Sequence, residues 1–105
     1  MYQLRIYSLR SVEALERYAA VHWTRHIPSL AAIGVATCGI WTERDGDAHR
    51  LIALVQFDDD ADPTKVTAEY MASSEFHADM AGFDPDDIVG VDSVLLDATR
   101  SSPMH

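Results

Sequence analysis

In His22-Trp23-Thr24-Arg25-His26-Ile27-Pro28-Ser29-Leu30, two histidines stand four residues apart. On a helix, that spacing puts both on one face. On a wheel turning about 100° per residue, Val12, Leu15, Ala19, Leu30 and Ile33 form an apolar stripe. His22 and His26 fall in its middle and Trp23 at its edge, while Glu13, Arg17, Ala20 and Thr24 face the other way. Both imidazoles are therefore expected to face a sheet, where their ring nitrogens need partners. Three uses are open. Each histidine can be a core residue bonded to backbone or to a strand side chain. Either can move a proton, because burial lowers its pKa and a carboxylate raises it. The pair can also share a metal ion. That last use needs a third ligand, and Thr24 and Arg25 stand where an HExxH zinc motif has other residues. No metal and no other cofactor is expected. His26 is the principal acid–base candidate, with His22 orienting it or sharing its proton.

Other side chains could hold what a histidine acts on. Arg5 and Tyr7 suit a carboxylate, phenolate or enolate oxygen, or else a salt bridge at a dimer interface. Trp41, Tyr70 and Phe76, joined by Trp23, could wall an aromatic pocket or simply fill the core. Asp92 lies between valines in the last strand pattern, where a buried carboxylate would orient a histidine or meet Arg5. Cys38, in the middle of a strand pattern, reads as a buried inert thiol. His49 and His105 read as surface residues. There is no Ser-His-Asp signature, phosphate loop or CxxC pair.

These residues need a scaffold. Tyr2-Gln3-Leu4-Arg5-Ile6-Tyr7-Ser8-Leu9 alternates as a strand, with Tyr2, Leu4 and Ile6 on one face and Gln3, Arg5 and Tyr7 on the other. Ser11 caps a helix over about 12–33, ended by Gly34, with Pro28 expected to kink it or split it near Arg25–Ile27. Strands at 35–42 and 49–57 flank Asp45-Gly46, a hairpin signal. Helical segments at about 63–72 and 73–81 follow, and 88–96 is the last strand. The order β-α-β-β-α-β predicts an α+β, ferredoxin-like fold: a four-stranded antiparallel sheet with helices on one face. Gln3, Arg5 and Tyr7 are assigned to the face away from the helices. That face is expected to be covered by a second copy, giving a homodimer.

The chain of 105 residues is one domain, taken as residues 1–98 with a flexible tail at 99–105. Eight Lys and Arg against 17 Asp and Glu leave a net charge of −9. That charge repels phosphate backbones and anionic lipid, so neither nucleic acid nor membrane is an expected partner. The acidic runs Asp58-Asp59-Asp60 with Asp62, and Asp84 with Asp86-Asp87, lack EF-hand spacing and read as solvated turns. One cysteine excludes an internal disulfide framework and fits a cytoplasmic protein.

Four segments together resemble the dimeric α/β-barrel superfamily, and within it the NIPSNAP-like proteins. The opening strand Tyr2 to Leu9 is similar to their first strand. His26-Ile27-Pro28-Ser29-Leu30 followed by Gly34-Val35 is similar to the end of their first helix. Gly39-Ile40-Trp41-Thr42, Asp45-Gly46-Asp47 and Leu51-Ile52 are similar to their central hairpin. Ser73-Ser74-Glu75-Phe76 stands where they read Asp-Pro-Glu-Trp, so a Pro and a Trp are replaced. His26-Ile27-Pro28 also resembles the His-x-Pro of EthD-like barrels. The resemblance implies a ferredoxin-like fold, a dimer, and a pocket between sheet and helices. Such barrels include dehydratases, isomerases, cyclases, cofactor-free monooxygenases and haem-processing enzymes, so it implies no single reaction. The functional expectation is a small cofactor-independent enzyme using histidine acid–base chemistry on a small apolar or aromatic substrate. The alternatives are a non-catalytic ligand-binding or scaffold dimer, and a haem- or oxygen-dependent barrel.

Overall fold

The computed structural model describes all residues, 1–105. β1 (Tyr2–Leu9) pairs antiparallel with both β3 (Arg50–Gln56) and β4 (Ile88–Leu96), and β2 (Ala36–Thr42) pairs with β3. The sheet order is β2-β3-β1-β4, the ferredoxin-like arrangement that the element order predicts. Between β1 and β2 come α1 (Val12–Arg17), a π-helical turn (Tyr18–His22) and α2 (Trp23–Ala31). Between β3 and β4 come α3 (Pro63–Met71), α4 (Ser74–Asp79) and a 3₁₀ turn at Pro85–Asp87. No helix is long and apolar enough to cross a membrane.

Short polar side chains start the helices; Ser11 is the cap read from sequence, and Asp62 and Ser73 act in the same way. Ser11 Oγ accepts from the Ala14 amide at 3.1 Å, Asp62 Oδ1 from Lys65 at 3.3 Å and Ser73 Oγ from Phe76 at 3.2 Å. Pro28 does not break the helix near Arg25–Ile27; α2 runs through it. The amide that proline lacks would have met the carbonyl of Thr24. Thr24 and Pro28 are both exposed, so water can serve that carbonyl. The irregularity lies one turn earlier, where the Trp23 amide reaches back to the Tyr18 carbonyl. This wide turn inserts a residue into the buried stripe. Tyr18, His22, Trp23, His26 and Leu30 are buried together, while Val12 and Ile33 are exposed. Trp23 is thus fully inside, not at the edge.

The assignment of Gln3, Arg5 and Tyr7 to the open face is overturned. In register they stand beside Val55, Ala53 and Leu51, which are sealed under the helices. Arg5 is only 8% exposed and reaches Thr67 of α3. The open face carries Leu4, Ile6, Ile52, Leu54, Val94 and Leu96 instead. The two faces of β1 alternate as read, but alternation alone does not say which face the helices cover.

Two local readings also change. Cys38 is exposed, at a bulge where the β2–β3 register shifts between Thr37 and Gly39. Asp45-Gly46 makes no tight two-residue turn. Residues 43–49 join the strands, the Glu43 carboxylate lies against Gly46 and within 3.6 Å of Arg50, and the left-handed residue is His49 with φ of 47°.

Gly34 ends the α2 segment at φ of 87°. A Cβ there would meet only Asp58 Oδ2, at 3.7 Å, so space is not limiting and any cost is in the backbone. Gly34→Ala should lower unfolding free energy by about 1 kcal/mol, measured by urea denaturation.

Candidate functional site

The elements converge on a cavity of about 420 Å3 between the helix-side face of the sheet and helices α2, α3 and α4. Its floor is Gln3, Arg5 and Tyr7 of β1, with Val91 and Ser93 of β4. Tyr18, Trp23, His26 and Leu30 form one wall, and Thr67, Tyr70, Met71, Phe76 and Met80 the other. Most of this lining is apolar, which suits a small organic ligand held by a few directed polar groups.

His26 is at the centre of the polar chemistry. Its ring stacks on Phe76 at 5.8 Å and takes the edge of Trp23 at 5.2 Å. Tyr70 Oη donates to Asp79 Oδ2 at 2.5 Å, and His26 Nδ1 lies 2.5 Å from the same Tyr70 oxygen. The phenolic proton is committed to the carboxylate, so Nδ1 must carry the hydrogen and donate. Nε2 is left with its lone pair and no hydrogen bond within the chain.

Burial dominates the charge of this imidazole. It lowers the His26 pKa from 6.5 to about 4, against the pull of the Asp79 carboxylate 3.8 Å from Nδ1. His22 and Arg5 push it further down. His26 is therefore a neutral base at pH 7. Burial, helped by Asp79, raises Tyr70, and burial raises Tyr18, so both phenols stay protonated.

His22 lies outside the cavity. It is fully buried, with Nδ1 donating to the main-chain carbonyl of Asp79 at 2.8 Å and Nε2 without a partner. Arg25 reaches the same carbonyl at 3.3 Å and that of Ala81 at 3.1 Å. These side chains satisfy free carbonyls at the end of α4 and pin it to α2. His22 thus positions Asp79, and does not itself face a ligand.

Of the residues proposed from sequence, Arg5, Tyr7, Trp23, His26, Tyr70 and Phe76 come together around the cavity. Trp41 does not: it is half-exposed on the open face beside Ile52. Asp92 is exposed there too, opposite Ile6. Both changes follow from the same inversion of faces. Sequence reading missed Asp79 and Tyr18. Asp79 did carry a signal, since an acid in the last turn of a helix opposes the helix dipole and calls for a compensating partner. No group of three His, Cys, Asp or Glu side chains is placed to hold a metal ion.

The NIPSNAP family profile matches residues 2–103. The chain belongs to the NIPSNAP family. Among solved structures, this NIPSNAP chain is similar to a NIPSNAP family protein of unknown function from Agrobacterium tumefaciens: TM-score 0.78, 20% identity, 99% of this chain and 92% of that one. It is similar to an uncharacterized NIPSNAP domain protein from Burkholderia xenovorans, with TM-score 0.71, 15% identity and 97% of each chain. A putative antibiotic biosynthesis monooxygenase from Nitrosomonas europaea matches with TM-score 0.59 and 16% identity, over 93% of this chain and 98% of that one. At such identities the likeness shows the shared ferredoxin-like fold. No curated protein matches the NIPSNAP chain.

The His26 shift has a consequence for stability. Between pH 6.5 and about 4 the unfolded chain binds a proton that the folded chain refuses, so stability falls as pH falls through that window and levels off below it. The full effect is roughly 3 kcal/mol. His26→Gln should remove this component, seen as a shallower loss of stability than the wild type across the window in denaturant titrations.

Proposed function

We propose that this NIPSNAP domain is a small acid–base enzyme in which His26 moves a proton on an apolar or aromatic substrate. The observation that carries the reading is the His26-Tyr70-Asp79 chain: a neutral imidazole anchored through Nδ1, with a free Nε2 on the wall of an apolar cavity. Nε2 takes a proton from a substrate C–H. The electron pair of that bond moves onto a substrate oxygen, as an enolate, with Arg5 and Tyr7 as donors toward it. The imidazolium is stabilised by Asp79 through Tyr70, and returning its proton at another atom gives an isomer. Ring closure or loss of water follows if the electron pair or the returned proton goes elsewhere. No electron leaves the substrate, so no oxidant is required. A cytoplasmic setting belongs to the same proposal, since Cys38 has no second cysteine to pair with.

Exchange of the benzylic hydrogens of phenylacetone in D₂O, followed by NMR, reads the step directly. His26→Gln should lower the catalysed rate by roughly 10²-fold with the fold intact by circular dichroism. Tyr70→Phe should fall between that variant and wild type. The rate should drop as pH falls through about 4, where His26 gains a proton, and stay level above it. A wild-type rate equal to that of His26→Gln would leave a cavity that only binds ligand, and the catalytic reading would be wrong.

We also propose a homodimer closed by the open sheet face. Leu4, Ile6, Ile52, Leu54, Val94 and Leu96 make that face apolar, and Trp41 adds a half-exposed indole. Light scattering at micromolar concentration should give twice 11.7 kDa, and Ile6→Asp should give the single-chain mass. A wild-type chain of single mass would remove the dimer.

A further inference from the structure

Arg5 is a buried cation without an anion. The protein is rich in acids, with 17 Asp and Glu, yet none lies within ion-pair distance of this guanidinium. Its partners are neutral: Nε donates to Gln3 Oε1 at 2.8 Å and one terminal nitrogen to Thr67 Oγ1 at 3.1 Å. The Phe57 ring lies 5.9 Å from its central carbon. Of about five N–H donors on a guanidinium, these contacts use two. Burying such a charge is costly unless something pairs with it.

The rest of the cavity points the same way. Arg5 is the only Asp, Glu, Lys or Arg on its lining. Burial keeps the Tyr18 proton in place, and the neighbouring Tyr7 hydroxyl takes it, which leaves the Tyr7 O–H as a donor on the cavity lining. Gln3 and Thr67 spend acceptor capacity on Arg5. The lining therefore offers the remaining Arg5 N–H groups and the Tyr7 O–H as donors, with His26 Nε2 as its clearest free acceptor.

We propose that Arg5 binds the carboxylate of a small monocarboxylic acid, whose apolar part lies against Trp23, Phe76 and Met80. A single cation and a mostly apolar lining fit one carboxylate on an aryl or alkyl body. A phosphate ester would need more cations and would approach a protein of net charge −9. The proposal rests on the acid–base reading for its purpose, since it names the class of molecule presented to His26; for such an acid Arg5 holds the carboxylate and Tyr7 is the donor left for the enolate oxygen. It also links binding to reactivity. Arg5 is one of the groups holding His26 down. A carboxylate that neutralises Arg5 makes the imidazole a stronger base when substrate is present.

The test uses the full chain with benzoate and its neutral isostere benzamide, titrated against tryptophan fluorescence and NMR shifts. Benzoate should bind at least about tenfold more tightly than benzamide, a difference of 1.4 kcal/mol. Arg5→Met should bring the two ligands level. Bound benzoate should raise the His26 pKa in the wild type but not in Arg5→Met, read from the imidazole resonances. His26→Gln should keep the preference for benzoate, so a failed catalytic reading and a failed carboxylate site give different results. Equal affinity for the two ligands in the wild type, no benzoate binding, or a preference that survives Arg5→Met would each overturn the proposal. The wild-type ratio decides the matter even if Arg5→Met does not fold.

Discussion

Asp79 is gripped from two directions, and the site depends on that grip. Its carboxylate accepts from Tyr70 of α3, and its carbonyl accepts from His22 and Arg25 of the first helical segment. One residue at the end of α4 therefore ties together three helical elements. Inside an apolar wall, a carboxylate without a donor would be costly. The Tyr70 hydroxyl supplies that donor, and in doing so forces His26 to present its hydrogen at Nδ1. The basic nitrogen is aimed by this donor sequence.

The π-helical turn at Tyr18–His22 makes the grip possible. It lets His22 and Trp23, adjacent in sequence, both be buried: one toward Asp79, the other toward the cavity. A regular helix would place the two about 100° apart and turn one of them toward the edge. Such turns lie within many functional helices. Here the turn separates a positioning histidine from the histidine that faces the cavity.

β1 divides the molecule's two surfaces. Its polar side, Gln3, Arg5 and Tyr7, becomes the cavity floor, and its apolar side, Leu4 and Ile6, faces away from the helices. This runs against the usual pattern of apolar residues inward and polar residues outward. A donor-lined floor under helices leaves the apolar residues with no helix to cover them. The same inversion thus gives a polar cavity floor and an apolar outer face. The NIPSNAP neighbours share the fold, but the ordering of Arg5, His26, Tyr70 and Asp79 is a property of these side chains and is what any reaction must be argued from.

Much of this was legible from residues alone. Alternation in β1, the cap Ser11 and the glycine at position 34 act over a few neighbouring residues, so they can be read locally. The element order then leads to the ferredoxin-like sheet. The pairing of His22 and His26 on a buried stripe was also local. Only tertiary structure decided which side of β1 the helices cover, because alternation is symmetric and carries no label for inside. That choice moved Arg5 and Tyr7 into the cavity and left Trp41 and Asp92 outside it. Only tertiary structure joined His26 to Tyr70, 44 residues away, and Tyr70 to Asp79, because hydrogen bonds between helices depend on where the helices pack. The division of labour between the two histidines is likewise tertiary: His26 has the cavity beside it, whereas His22 is sealed against a carbonyl supplied 57 residues later.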